Sequence, residues 1–324
     1  MEWGGNYRIA LAALVAGAIF GQSKPWSPPR TPDGHPDLQG IWTNSTLTPL
    51  ERPAEFRDKP TLSDQEAAAY EKQLLREADR DRRDGGADAD VGRAYNELFF
   101  DRGTKLARVG SAIRTSLIVD PPDGRVPALT AEAQKRMADA RADARLHPAD
   151  GPEDRSLQER CLFWLTDGPP MLPVLYNNYY QIVQSPGYVM ILAEMAHDAR
   201  IIPLDGPLDG RPHVDSKIRE WKGDSRGHWE GDTLVVDTTN FTGKTRFRGS
   251  DENLHVIERF TRVAPDTILY KFTIDDPATF TKPWSGEIPF TAAAGPIYEY
   301  ACHEGNYALP DILAGARAEE RKKQ

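Results

Sequence analysis

After Met171 the chain alternates between short apolar-polar runs and turn signals, a rhythm that restricts it to consecutive antiparallel strands. Residues 179–184 turn at Ser185-Pro186-Gly187 into 188–194, and 198–203 turn at Asp205-Gly206. Residues 227–230 turn at Gly231-Asp232 into 233–239, and 254–263 turn at Ala264-Pro265-Asp266 into 267–275. A last run, 297–303, is expected to close the series. Within 267–275, Ile268, Tyr270, Phe272 and Ile274 share one face while Leu269, Lys271 and Thr273 share the other, so one face is core and the other wet or partly covered. Adding 40–43 and 114–120 brings the count to nine or ten strands. The expected fold is mainly β: an antiparallel, lipocalin-like barrel or a curved sandwich.

The first half reads differently. Pro25, Pro28, Pro29 and Pro32 make an extended entry segment. Gly40-Ile41-Trp42 then places a buried-type tryptophan at a strand start. Over 61–83, Ser63 and Glu66 form a capping box, with Thr61 an alternative cap, and Ala67, Tyr70, Leu74 and Leu75 recur at helical spacing. That helix frays into a charged stretch ending at Gly85-Gly86. A second helix opens at Thr130 and runs to about Leu146, where His147-Pro148 stops it. Residues 24–150 are therefore expected as an N-terminal helical extension packed on a strand-rich region, 151–324, in one structural unit.

Arg8 precedes an apolar run over 9–20, too short to span a bilayer, with small residues at Gly21 and Ser23 before Lys24. The expectation is a signal peptide over 1–23 and an exported protein, periplasmic or extracellular, with no stable membrane insertion after cleavage; Glu2 departs from the usual basic leader. Removing that segment takes away one acid and one base, so the net charge stays at −9. Interspersed charge of this sign lacks the basic face that nucleic acid requires. Two cysteines, Cys161 and Cys302, make a plausible disulfide in an oxidising compartment, and neither sits in a CxxC pattern.

Residues 223–241, Gly-Asp-Ser-Arg-Gly-His-Trp-Glu-Gly-Asp-Thr-Leu-Val-Val-Asp-Thr-Thr-Asn-Phe, resemble a large family of predicted secreted bacterial proteins without an assigned activity. Further segments resemble the same family: 114–120 with the Pro-Pro-Asp-Gly turn after it, 176–179, 197–203, 254–260 and 298–304. The chain departs from the family after its first cysteine, where Cys161-Leu162-Phe163-Trp164 lacks an expected proline. The resemblance implies secretion and carries over no catalytic residue.

Chemistry must then be sought in the strands. His197, His228, His255 and His303 stand near acids, but no H-x-H or H-x-x-x-H pair fixes two metal ligands, so no cofactor is expected and a divalent metal is a minor alternative. Serine catalysis has little support, since Gly223-Asp224-Ser225 precedes a turn-rich strand. Glu258 and Arg259 interrupt an apolar strand, as do Asp198 and Arg200. Alternation puts His255 and Arg259 on one face and Glu258 on the other, and a buried charge demands a partner. These charges belong either to structural ion pairs or to a pocket, and the pocket reading expects at least three of His197, Arg200, His228, His255, Arg259 and His303 to approach one cavity in the barrel.

Two classes of function follow. The first is an exported binder of an apolar or aromatic small molecule, with His197, Arg200, Arg226, Arg259, Trp229 and Tyr300 as ligand contacts. The second is an exported acid/base or metal-assisted enzyme, a hydrolase, lyase or isomerase, using His255, Glu258, His228 or His303. The oligomeric state is not legible in the sequence.

Overall fold

The turn signals of the second half fold each pair of strands side by side. In the computed structural model, which describes residue 1 and residues 26–92, 97–164, 167–204 and 212–322, nine strands follow one another across a ten-stranded sheet. The expected signal segment lies outside the described residues except for Met1. In chain order the strands are β1 (Gly40–Thr43), β2 (Tyr179–Ser185), β3 (Tyr188–Ala193), β4 (Asp198–Pro203), β5 (Asp224–Glu230), β6 (Thr233–Thr239), β7 (His255–Ala264), β8 (Thr267–Asp275) and β9 (Trp284–Ala292). Their order across the sheet is β4-β3-β2-β1-β9-β8-β7-β6-β5, every neighbouring pair antiparallel.

The sheet curls until its two edges nearly meet, giving a nearly closed barrel. Alternating directions cannot close around an odd number of strands, so β4 and β5 must run parallel, and the bridge between Leu204 and Gly227 is parallel. Gly227 permits that approach. A Cβ on it would stand 2.8 Å from Leu204 Cδ2 and 3.0 Å from Ile202 Cγ2.

The barrel has two unlike ends. At one, β2–β3, β5–β6 and β7–β8 are joined by tight turns, and Trp42, 2% exposed, donates from Nε1 to Leu38 O at 2.9 Å. The guanidinium of Arg262 lies over the Trp42 ring at 5.4 Å and bonds Asp37 O at 2.7 Å. At the other end, the mouth, the connections after β1, β6 and β8 are long, while β3 and β4 are joined by 194–197. Because β1 pairs with both β2 and β9, the expected N-terminal extension is, from Asn44 to Asn178, an insertion between two neighbouring barrel strands. It carries α1 (Asp64–Ala78), capped by the Ser63–Glu66 box, and α2 (Ala131–Leu146), capped by Thr130. Its strand Ile118–Asp120 adds to β9, and Leu117 and Ile118 enter the barrel core.

Two expectations need correction. Residues 297–303 form no strand, and Trp284–Ala292 takes that place despite Pro289. The N–H of Glu287 points away from β8, to Leu117 O at 2.9 Å, so two residues on Pro289 lacks its N–H on the side where β1 reaches only Thr291 and Ala292. No ladder bond is lost there. A further helix, α3 (Ala308–Lys322), has no counterpart among the elements expected from the sequence; Arg317 ties it to Ala149 O at 2.9 Å and Asp150 O at 2.7 Å. Cys161 and Cys302 are disulfide-bonded, with Cα atoms 5.7 Å apart. The bond anchors the segment after β9 to the insertion.

The interior is filled. Tyr180, Phe260, Tyr270, Phe272, Trp284 and Phe290, none more than 3% exposed, pack with ring centroids 5.0–5.9 Å apart. No helix among the described residues is long and apolar enough to cross a membrane.

Candidate functional site

Alternation along β4 and β7 sends Arg200 and Glu258 inward, where Glu258 is fully buried and Arg200 is 6% exposed. They form a two-pronged ion pair, Nη1 to Oε2 at 2.6 Å and Nη2 to Oε1 at 3.0 Å, and Tyr270 donates its hydroxyl to Glu258 at 2.9 Å. Burial acts against the guanidinium's charge, but Glu258 outweighs it and raises the Arg200 pKa. The pair links β4 to β7 through the barrel interior, and removing either partner would leave an uncompensated buried charge.

The same alternation sends the neighbouring charges out. Arg259 and His228 both meet Glu230 on the outer wall, His228 Nε2 lying 3.1 Å from Oε1. Arg226 pairs with Asp224 at 2.9 Å. His197 and His303 are exposed. Trp229 stacks on His35, with centroids 5.0 Å apart, and Tyr300 meets Trp164 edge-on at 5.9 Å. Of the six residues expected to approach one cavity in the barrel, only Arg200 enters the interior, because the period of two separates it and Glu258 from His255, Arg259 and His228. The expected convergence therefore does not form.

A different constellation does, and its key members were missed. On the outer wall His255 Nε2 lies 2.7 Å from Asp237 Oδ2, His213 Nε2 lies 2.8 Å from Asp237 Oδ1, and His213 Nδ1 lies 2.9 Å from Asp224 Oδ2. Arg226 closes the row on Asp224. Burial pushes Asp237 upward, but its two histidine hydrogen bonds prevail and hold it below its ordinary value; the bond to Asp237 raises His255. The row is a line rather than a shell, and among the described residues no group of three or more His, Cys, Asp or Glu is placed to hold a metal ion. His213 stands in no strand pattern, so only the cross-strand register, Asp237 beside Arg226, could have pointed to it.

Residues 223–227 also spell the G-x-S-x-G spacing of an esterase elbow, which a reading limited to Gly223-Asp224-Ser225 overlooked. Ser225 nevertheless lies within β5, 4% exposed, its Oγ 2.9 Å from Thr238 Oγ1, and no helix follows. The spacing carries no nucleophile here.

An apolar cleft opens at the mouth. There Leu172, Val174 and Tyr176, with Leu50, Leu117, Trp164 and Met195, line a cleft of about 570 Å³, and Arg102 and Arg248 stand on its wall. The segment is held in shape by Asn178, fully buried, which accepts from Val174 N at 2.8 Å and donates to Val174 O at 2.9 Å and Asp101 O at 2.5 Å. Tyr270 holds it from beneath, accepting Met171 N at 3.0 Å. Three acids adjoin residues of the cleft wall: Asp101 beside Arg102, Glu194 beside Met195, and Asp167 near Trp164. Burial pushes Asp167, 3% exposed, up to about 7 against the opposing charge of Lys222, and it raises Asp101 and Glu194 as well. Asp167 accepts from the backbone N–H of Trp164, whose ring lines the cleft.

No protein-family model, no curated protein and no solved structure matches the chain. The resemblance carried by residues 223–241 rests on the sequence segments themselves.

Proposed function

We propose that the protein is an exported small-molecule binder of the secreted family that residues 223–241 resemble, and that it takes its apolar or aromatic ligand at the barrel mouth instead of deep in the lumen. The observation that carries this is the cleft of about 570 Å³, apolar on most sides, with Trp164 and Tyr176 supplying flat surfaces. Its size and lining match ordinary ligand pockets, whereas the lumen is occupied by the protein's own rings. Export is supported by the Cys161–Cys302 disulfide and by the short apolar run over 9–20. A lipocalin-like use of the fold agrees with a barrel whose one end is closed by tight turns and whose other end holds the cleft.

The test is titration of the protein with phenylnaphthylamine, a neutral dye that brightens in apolar sites. Saturable binding that is lost in Val174→Trp, with the thermal midpoint unchanged, is the expected result. Binding indifferent to that substitution would sink the reading.

One observation favours acid/base catalysis as a second reading: Asp167, which accepts from the N–H of the cleft-wall residue Trp164, is pushed up to about 7 by burial. If that group handles protons, Asp167→Asn abolishes turnover of a bound substrate while leaving dye binding intact.

A further inference from the structure

Among the described residues lining the mouth cleft, two are cations, and they differ in what they already do. Arg102 is engaged: it donates to Ala78 O at 2.8 Å, lies 3.2 Å from Glu97 and sits over the Phe100 ring at 4.3 Å. Arg248 has one acidic neighbour, Glu51, at 3.7 Å, beyond hydrogen-bonding distance, and its side chain is 39% exposed. Its backbone is left-handed, φ 51°, a conformation unfavourable for a long side chain. The turn holds that conformation through its neighbours. Phe247 on one side is buried against Trp284, rings stacked at 6.3 Å, and Gly249 on the other approaches Met137 so closely that a Cβ would lie 2.6 Å from its sulfur. The fold thus fixes the backbone beneath a guanidinium whose hydrogen-bonding capacity is largely unused, at the wall of an otherwise apolar cleft.

From this we infer that Arg248 determines specificity, selecting ligands with an apolar body and a single anionic head. The inference rests on the mouth cleft being the binding site. A neutral ligand gains only the apolar walls, whereas a carboxylate or sulfonate adds a charge-assisted bond to Arg248. Arg102 serves as wall, its charge already matched by Glu97.

The full chain is titrated with two dyes that share one apolar body, neutral phenylnaphthylamine and anionic anilinonaphthalene sulfonate. Arg248→Asn is the variant of choice, since asparagine tolerates the left-handed backbone and carries no charge. The expected result is a sulfonate dissociation constant weakened about tenfold, with the neutral dye changed less than about twofold. Arg248→Lys should keep the preference for the sulfonate. Saturable binding of neither dye to the wild type overturns the cleft reading and this inference together. Equal loss of both dyes, or sulfonate binding untouched by the substitution, overturns the role of Arg248 alone. Decanoate and naphthoate then compete against the bound sulfonate, separating a fatty-acid ligand from an aromatic acid, and displacement by neither overturns the inference.

Discussion

The two ends of the barrel solve the same problem differently. At the tight-turn end the chain reverses within two or three residues, Trp42 is plugged in place by its bond to Leu38 and Arg262 covers its ring. At the mouth, all seven non-glycine residues with left-handed backbone among the described residues occur: Cys161, Asn177, Ala196, His197, Asn240, Arg246 and Arg248. The buried carboxylate oxygens that lack a protein partner, on Asp101, Asp167, Glu194 and Asp276, are there too. Strained backbone and unsatisfied buried oxygens each cost stability and persist only where the surrounding structure imposes them. Their gathering at one end sets the mouth apart from the closed end and agrees with the proposal that the ligand is taken there.

That contrast can be broken in order of effect. Glu258→Leu leaves Arg200 buried without its partner and should destabilise by about 3–5 kcal/mol in urea unfolding. Restoring an apolar interior with Arg200→Met in the same chain should recover most of the loss, and failure to recover it would mean that the pair does more than hold the barrel together.

The next largest effect belongs to the mouth. Asp167 binds its proton more tightly folded than unfolded, so wild-type stability should fall as pH rises from its ordinary value of 3.8 to about 7. At about 1.4 kcal/mol per unit the whole fall is roughly 4 kcal/mol. Asp167→Asn should flatten that slope and raise stability at pH 8, measured by unfolding at several pH values. An unchanged slope would remove Asp167 from the strained set.

At the seam between the halves, Gly227→Val forces β4 from β5 and should cost about 1–3 kcal/mol, with faster amide exchange along β4. Smallest is the outer-wall row. His255 is raised, so its contribution is complete below its ordinary 6.5 and fades as pH climbs through the folded value; Asp237 is lowered, so its contribution is present above 3.8 and fades as pH falls through its folded value. The row should stabilise most between those limits. His255→Gln should cost under about 1 kcal/mol there and less outside, by thermal unfolding at pH 5 and pH 9. A larger loss at pH 9 would reverse the assigned charges.

The sequence by itself determined what depends on neighbours along the chain. Ser63 with Glu66, and Thr130, started their helices because a cap is a local hydrogen bond. Seven of the nine barrel strands were legible through turns and alternation in the second half, and Gly40-Ile41-Trp42 added an eighth. Trp284–Ala292 was hidden by Gly286 and Pro289, whose tolerance depends on which edge is paired, a property of neighbours far away in sequence. Alternation also told which charges on β7 face apart, yet it could not tell which face was core, and so Arg200 with Glu258 was legible as a buried-charge problem but not as its own solution. Only the tertiary structure joined His213 to Asp237 and placed the cleft beside Trp164 and Arg248. Those placements depend on where long connections come to rest, and neither periodicity nor turn chemistry encodes that.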